Sequence, residues 1–437
     1  MAYVYPFRGY RYNTEIVTDL NLVVTQPYDK IASELQKDYY GRSPYNVVQI
    51  TLNREKKKKP DTDYAEAGSV YRRWLAQKVL LPDPSPAIYA YYQEYAFEGR
   101  NRMQKGFIAL LDLKDSGAGI MPHERTLQAP KRDRLRLLRS IESNEDAVFM
   151  LYSDEHLTIN RIMDGNVADR IPDIEVKDDY GVLHRLWSIT DSEKLKNIQD
   201  AMQPQRLFIA DGHHRFETSI NFMKECKQNN WRPDGIESYD KRMVTCFNIA
   251  DGVTILPTHR LIRDLPEFDV QSFLQNIQNH FEVAEAGSED SLFRQMKQEC
   301  SRNVFGFYPE KLKKFYLLKL KDKAQEDALL QIHIEAYRKL DVSILHILLL
   351  EHYLGINESK LVSQSNIDYA RDVKSCIEWV DSGKYQAAFF LNPTTAAQMQ
   401  RLALEGERMP QKSTDFYPKL LTGLVFMKMN INKTVER

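Results

Sequence analysis

Leu207-Phe208-Ile209-Ala210-Asp211-Gly212-His213-His214-Arg215-Phe216-Glu217-Thr218 is the stretch on which the reading of the chain turns. Its first four residues form a short apolar run, the pattern of a buried strand. Asp211 and Gly212 interrupt that run with turn chemistry. Phe216, Ile220, Met223 and Cys226 then recur at helical spacing, so a helix is expected from about Arg215. A strand, a glycine turn and a helix N-terminus make a common anion site. The first N–H groups of any helix lack partners within it, and the helix dipole favours negative charge there. Taken singly, Asp211 reads as a helix cap, Gly212 as a turn residue and the two histidines as surface residues. Five such residues between a strand and a helix point instead to a site. Zinc is not implied by the motif alone, because adjacent histidines do not easily share one tetrahedral metal and no cysteine pair is near.

At 437 residues the chain is long for one core, so two or three domains are expected. Hydrophobic residues at 43% and charged residues at 28% fit a soluble globular protein. A formal net charge of −1 gives no global pull toward nucleic acid or an anionic membrane. The four cysteines, Cys226, Cys246, Cys300 and Cys376, are too scattered to form a metal or redox pair and fit a reducing cytoplasm. Met1–Arg8 lacks a basic start followed by an apolar stretch, so no secretion signal is read. The longest apolar cluster, Ile344 to Leu354, contains His346, Glu351 and His352 and is too short to span a bilayer.

Outward from the central stretch, apolar runs predict strands at Leu22–Val24, Val47–Leu52, Ile88–Phe97, Phe107–Leu113, Ala147–Tyr152, Val182–Trp187 and Met243–Ile249. Ile88–Phe97 and Phe107–Leu113 read as a hairpin with a long link. Helices are expected over Ile31–Tyr40, around Ala67–Leu75, over Lys131–Ser140 and from about Ser192. The basic run Arg54–Lys59 reads as a solvated loop. From about residue 265 the texture changes. Helical patterns at Phe273–Phe281 and Ser291–Glu299 alternate with strands Val304–Tyr308 and Phe315–Leu320, and a last strand is read at Ala387–Leu391. The division expected is 1–264 and 265–437, both mixed α/β.

Three further clusters carry chemistry: His123-Glu124, Thr258-His259-Arg260, and Lys412 with Lys419. Arginine binds phosphate bidentately and lysine as a point charge. A carboxylate can take a proton from a hydroxyl or hold magnesium. Histidine can donate to phosphoryl oxygens or act as acid or base. The set suits phosphoryl transfer, in which positioning and charge stabilisation dominate. Each member also has a plainer reading: Glu124 as a helix-start carboxylate, His259 as a core histidine, Lys412 as a surface lysine. Walker, Gly-x-Gly-x-x-Gly and Gly-x-Ser-x-Gly patterns are absent.

Pro27-Tyr28-Asp29, Ser43-Pro44-Tyr45-Asn46-Val47-Val48, Pro122-His123-Glu124-x-Thr126, Ala210 to Arg215, Leu256-Pro257-Thr258-His259-Arg260 and Lys412-Ser413-Thr414-x-Phe416-Tyr417-Pro418-Lys419 occur in this order. Together they resemble the bacterial family called Domain of Unknown Function 1015, from near the N-terminus to about Gly423. The strand followed by Asp-Gly-His-His-Arg also resembles the phosphate-binding box of the ParB/sulfiredoxin-like superfamily, which includes partition proteins and free-serine kinases. That second resemblance implies a ParB-like core. It implies that Gly212, His213, His214 and Arg215 bind phosphate, and that Asp211 or Glu124 serves as acid/base or magnesium ligand.

The expected function is therefore phosphoryl transfer on a small hydroxyl metabolite, as a serine kinase or phosphoserine phosphatase. Asp211, Glu124, His123 and His214 are the expected catalytic residues. Gly212, His213, His214, Arg215, Thr258, His259, Arg260, Lys412 and Lys419 are expected to bind phosphate or nucleotide. ATP or ADP with magnesium is the expected cofactor set, and Asp211 and Glu124 its metal ligands. The partner is a small phosphorylated ligand, with neither nucleic acid nor membrane expected. Two other readings stay open: a non-catalytic nucleotide- or DNA-binding regulator of ParB-like type, and a metal-dependent hydrolase.

Overall fold

The computed structural model of the protein describes residues 1–52, 64–114, 119–122, 128–326, 328–410 and 412–434. Arg54–Lys59, His123, Glu124 and Thr126 lie outside the described residues. The described residues of Met1–Pro122, Thr126–Val253 and Pro418–Arg437 form one compact unit, and those of Thr254–Tyr417 a second. The change of unit falls at Val253–Thr254 and not after residue 264. The reason is local: His259–Ile262 pairs with Ile367–Ala370 and Ala387–Leu391, which makes it a strand of the second sheet.

The first unit is built on a nine-stranded mixed sheet. Ile120–Met121 lies at one edge, followed by Leu207–Asp211, Val148–Tyr152, Lys241–Asn248, Arg100–Asp112, Ile88–Phe97, Leu183–Ile189 and Ile174–Lys177. Val4–Tyr5 also pairs with Arg100–Asp112. Leu207–Asp211 runs parallel to Ile120–Met121 and antiparallel to Val148–Tyr152. Val148–Tyr152 and Lys241–Asn248 are parallel. Both of these central strands are buried along their whole length, which explains the continuous apolar run of Val148–Tyr152. Helix Gln128–Ile141 packs against helix His213–Gln228 and against Ala65–Ala76.

Three expectations from the sequence change here. Val47–Leu52 is not a strand: Val48–Thr51 is a short helix, entered from a turn in which the Asn46 side chain accepts the Val48 N–H at 2.9 Å. Its β-branched residues are set by burial in a core, which overrides their strand preference. Leu22–Val24 is replaced by a 3₁₀ turn at Leu20–Leu22, capped by the Asp19 carboxylate on Asn21 N–H. The hairpin link is short, not long. Glu98 and Gly99 both take positive φ (49° and 73°), and pairing continues from Phe97 opposite Arg100 to Tyr89 opposite Ile108. A two-residue turn of this kind matches the twist of the strands it joins.

The second unit carries a six-stranded sheet in the order Phe281–Glu285, Tyr316–Leu320, Val304–Pro309, Ala387–Leu391, His259–Ile262, Ile367–Ala370. All its pairings are antiparallel. Helices Glu289–Gln298 and Val373–Asp381 bury Leu292, Met296, Cys376 and Val380 against Leu261, Val304 and Phe390. The chain is thus mixed α/β in both units, as expected. The apolar cluster near Ile344 is a π-helix, Leu345–Tyr353, and among the described residues no helix is long and apolar enough to cross a membrane.

Phe247 sits in the middle of the first sheet, fully buried, with ring centroids 4.9 Å from Phe149 and 6.2 Å from Tyr91. Phe247→Ala is expected to cost about 3–5 kcal/mol, because the surrounding strands cannot collapse onto the space left. Urea unfolding of the two proteins measures it.

Candidate functional site

The expected strand–turn–helix is present in the first unit, next to the edge strand of its sheet, with two refinements. The strand is Leu207–Asp211, and the helix starts at His213, two residues earlier than its apolar spacing implied. Between Ile209 and Asp211 the register against Val148–Tyr152 shifts, so that Ile209 faces Met150 while Asp211 faces Phe149. Such a bulge inserts a residue and re-aims the side chains beyond it. Here it sets the direction of Asp211. Gly212 follows with φ 95° and heads the 16-residue helix His213–Gln228 without a side-chain cap or an acid in the first turn. A Cβ on Gly212 would lie 2.9 Å from Arg215 Nη2 and 3.0 Å from its Nε. Glycine is required there twice over, by backbone angle and by the guanidinium packed beneath it.

The charges around this turn form a chain. Lys419 Nζ donates to Asp211 Oδ2 at 2.8 Å, and Arg215 Nη2 lies 3.8 Å from Asp211 Oδ1. Arg215 Nη1 donates to Asp146 Oδ2 at 2.8 Å and to the Ala147 carbonyl at 3.0 Å. The other Asp146 oxygen accepts from Arg242 Nη2 at 2.5 Å. Burial works to raise the Asp211 pKa, but Lys419, Arg215 and Lys30 outweigh it and hold the carboxyl far below the usual range. Burial likewise works to raise the Asp146 pKa, and the two arginines overcome it. Lys419 is itself held from behind, because Gln93 Nε2 donates to its carbonyl at 2.9 Å.

Not every residue expected to bind phosphate has the same freedom. Arg215 is buried and committed to Asp146, so it braces the turn from below. His213 is buried and His214 half-buried, the latter's carbonyl accepting from Thr218 Oγ1 at 2.7 Å. Asp211 keeps partial exposure, 22% of its side chain, beside a nearly buried Lys419. His123 and Glu124 lie outside the described residues. Among the described residues no group of three or more His, Cys, Asp or Glu is placed to hold a metal ion.

Beneath the turn lies a cavity of about 20 Å³, large enough for a water molecule, lined by Arg134, Glu145, Asp146, Arg215 and Arg242 among others. Glu145 is the unusual member. Burial first, and then the neighbouring Asp146 charge, push its pKa up to about 7, with Arg134 and Arg242 opposing. Glu145, Asp146, Arg242 and the 3₁₀ turn Tyr28–Lys30 carry charge to this site without having been singled out for it. The available signal was two carboxylates immediately before the apolar strand Val148–Tyr152, and Lys241-Arg242 at the head of another buried run.

Thr258, His259, Arg260 and Lys412 belong to the second unit, whereas Asp211–Arg215 and Lys419 belong to the first. Within the second unit, His259 and Arg260 point apart. His259 and Arg260 are neighbours in one strand, so their side chains leave opposite faces of the sheet. His259 packs on Phe390, ring centroids 5.1 Å apart, and its Nδ1 accepts the Leu391 N–H at 3.3 Å. Burial, helped by the Arg260 charge, lowers its pKa to about 4, so it is a neutral histidine at physiological pH. Arg260 lies on the other face, its guanidinium on the carbonyls of Thr258 and Lys412.

Comparison with known proteins places these residues in a family. The model of the family described as "Protein of unknown function (DUF1015)" matches residues 4–343, and the chain belongs to that family. No curated protein matches. Similar solved structures include a conserved hypothetical protein from Pyrococcus furiosus, 12% identical over 72% of this chain and 92% of that one, with a TM-score of 0.35. A free serine kinase variant in complex with AMP is 11% identical over 71% and 87%, with a TM-score of 0.36. SbnI from Staphylococcus aureus with a C-terminal truncation is 10% identical over 72% and 85%, with a TM-score of 0.34. At these scores the likeness assigns no function to the chain.

Gly212→Ala is expected to destabilise the protein by roughly 1–3 kcal/mol from backbone strain, before any displacement of Arg215 is counted. Thermal unfolding reads it out. Glu145 makes a prediction about pH. Its folded pKa near 7 lies above the unfolded value, so the folded state binds the extra proton and stability falls as pH rises toward 7. Stability measured from pH 4.5 to 7.5 is expected to decline by up to roughly 3 kcal/mol relative to Glu145→Gln, which carries no such proton. Parallel curves for the two proteins would refute it.

Proposed function

We propose that this member of the DUF1015 family is a phosphoryl-transfer enzyme acting on a small hydroxyl metabolite, with the turn Asp211–Arg215 as its phosphate and acceptor site. The observation that carries the reading is the Asp211–Lys419 pair at the N-terminus of helix His213–Gln228. A helix N-terminus and an ammonium together suit a phosphoryl group. Asp211, with so little affinity for protons, is an acceptor that orients a hydroxyl toward the phosphorus; as the new O–P bond forms and the donor's P–O bond breaks, the hydroxyl proton passes to a phosphoryl oxygen or to solvent. Arg215, Asp146 and Arg242 fix the turn so that this orientation is not lost when charge shifts during transfer.

ATP or ADP and magnesium belong to this proposal. Magnesium commonly binds through one or two carboxylates plus substrate phosphates, and it would supply charge neutralisation. Asp211 is the described carboxylate that would hold it. Because the turn resembles the box of free-serine kinases, serine is the first acceptor to try, and phosphoserine tests transfer in the reverse sense or to water.

The test is a ³¹P magnetic resonance assay of the purified protein with magnesium, ATP or ADP, and serine or phosphoserine. Turnover is expected in the wild type. A loss of about 10²–10³-fold in kcat is expected for Lys419→Met and for Asp211→Asn, the scale for removing one charge-stabilising group. A folded wild type that neither binds nucleotide by calorimetry nor converts serine or phosphoserine would sink the proposal.

A further inference from the structure

Arg260 is among the most deeply buried large side chains of the protein, 1% exposed. An arginine at such depth normally sits against a carboxylate, because a buried guanidinium without a counter-charge is costly. Arg215, Arg242 and Arg134 in the first unit all follow that rule. Arg260 does not. Its Nη1 and Nη2 donate to the carbonyls of Thr258 and Lys412, the latter at 3.1 Å, and its Nε has no hydrogen-bond partner among the described residues. The Tyr369 ring lies 5.4 Å away, directly opposite Arg260 in the adjacent strand. The nearby carboxylate of the 412–415 loop, Asp415, is engaged by Arg371, through Nε and through Nη2 at 2.6 Å. Burial without such a partner lowers the Arg260 pKa to about 10, which still leaves the side chain cationic at neutral pH.

We infer that the second unit contains an anion site of its own, in which Arg260 receives a small oxyanion, either a carboxylate or a phosphoryl group. Two carbonyls hold the guanidinium in place while leaving its positive charge uncancelled, and the Tyr369 face walls one side. The carbonyls come from Thr258, which is half-buried, and Lys412, which is exposed. His346 is buried in the π-helix Leu345–Tyr353, and its Nε2 has no hydrogen-bond partner among the described residues. Burial, and then the Arg260 charge, lower its pKa, and in the inferred site it has the role of second donor to the same anion. π-Helical turns are often found at functional sites. This site stands independently of the phosphoryl-transfer reading, which rests on the first unit.

The experiment is a thermal-shift titration of the full chain with inorganic phosphate and, separately, acetate, against chloride at matched ionic strength. Wild type, Lys419→Met and Arg260→Met are compared. A ligand that binds only the folded protein raises Tm, by roughly a few degrees at saturation. The expected result is a rise with phosphate or acetate that persists in Lys419→Met and disappears in Arg260→Met. The anion giving the larger rise tells carboxylate from phosphoryl. If Arg260→Met does not fold, Arg260→Lys is used; it keeps the charge but not the fork, and at least a tenfold weaker apparent affinity is expected. In the wild type the His346 ring-nitrogen resonances are expected to move with the same titration midpoint. No anion-specific rise in wild type and Lys419→Met, or a rise unchanged in the Arg260 variants, overturns the inference. A rise lost only in Lys419→Met assigns the anion to the first unit and also overturns it.

Discussion

The salt bridge between Asp211 and Lys419 is where the first unit commits its charge. A carboxylate this close to the interior is tolerable only when cations surround it, and Lys419, Arg215 and Lys30 supply them. Arg215 in turn needs Asp146, and Asp146 balances Arg242. Each group is buried on condition that the next is present. The sheet order places Leu207–Asp211, Val148–Tyr152 and Lys241–Asn248 side by side, and the chain of charges crosses all three at one end. The register shift before Asp211 and the positive φ of Gly212 are the backbone's accommodation to that arrangement.

Much of this was legible in the residues. The strand at Leu207, the strand Ile88–Phe97 and the strand Ala387–Leu391 follow directly from apolar runs bounded by turn residues. The glycine turn announced itself by composition. What escaped reading did so for identifiable reasons. Val47–Leu52 has strand composition but is a short helix that core packing and the Asn46 turn impose. Glu145, Asp146 and Arg242 stand just outside apolar runs, where a charge ordinarily means the end of a strand. Their roles come from one another across long sequence separations, and no local pattern encodes that. The resemblance of the turn to a ParB-like box remains a likeness of motif.

The C-terminal motif Lys412–Lys419 shows how a contiguous signal can serve two places. Its first part, with Arg260 on the Lys412 carbonyl and Arg371 on Asp415, is built into the second unit. Its last residue belongs to the first unit, where it completes the Asp211 site. The adjacent pair His259 and Arg260 teaches the same point on a smaller scale, since neighbours in a strand cannot share a face.

Lys419 is 208 residues beyond the aspartate it pairs with, and Gln93, which grips its carbonyl, lies 326 residues before it. During synthesis the strand and helix around Asp211 therefore emerge, with Lys30 and Arg215 already present, long before Lys419 exists. A nascent chain can form the local turn but leaves its carboxylate hydrated or imperfectly paired until Lys419 has been added. Such non-local closure is slow and comes late on the folding path. The turn around Asp211 is thereby tied to a segment made about two hundred residues later, and a product that stops before Lys419 lacks the ammonium that donates to the Asp211 carboxylate.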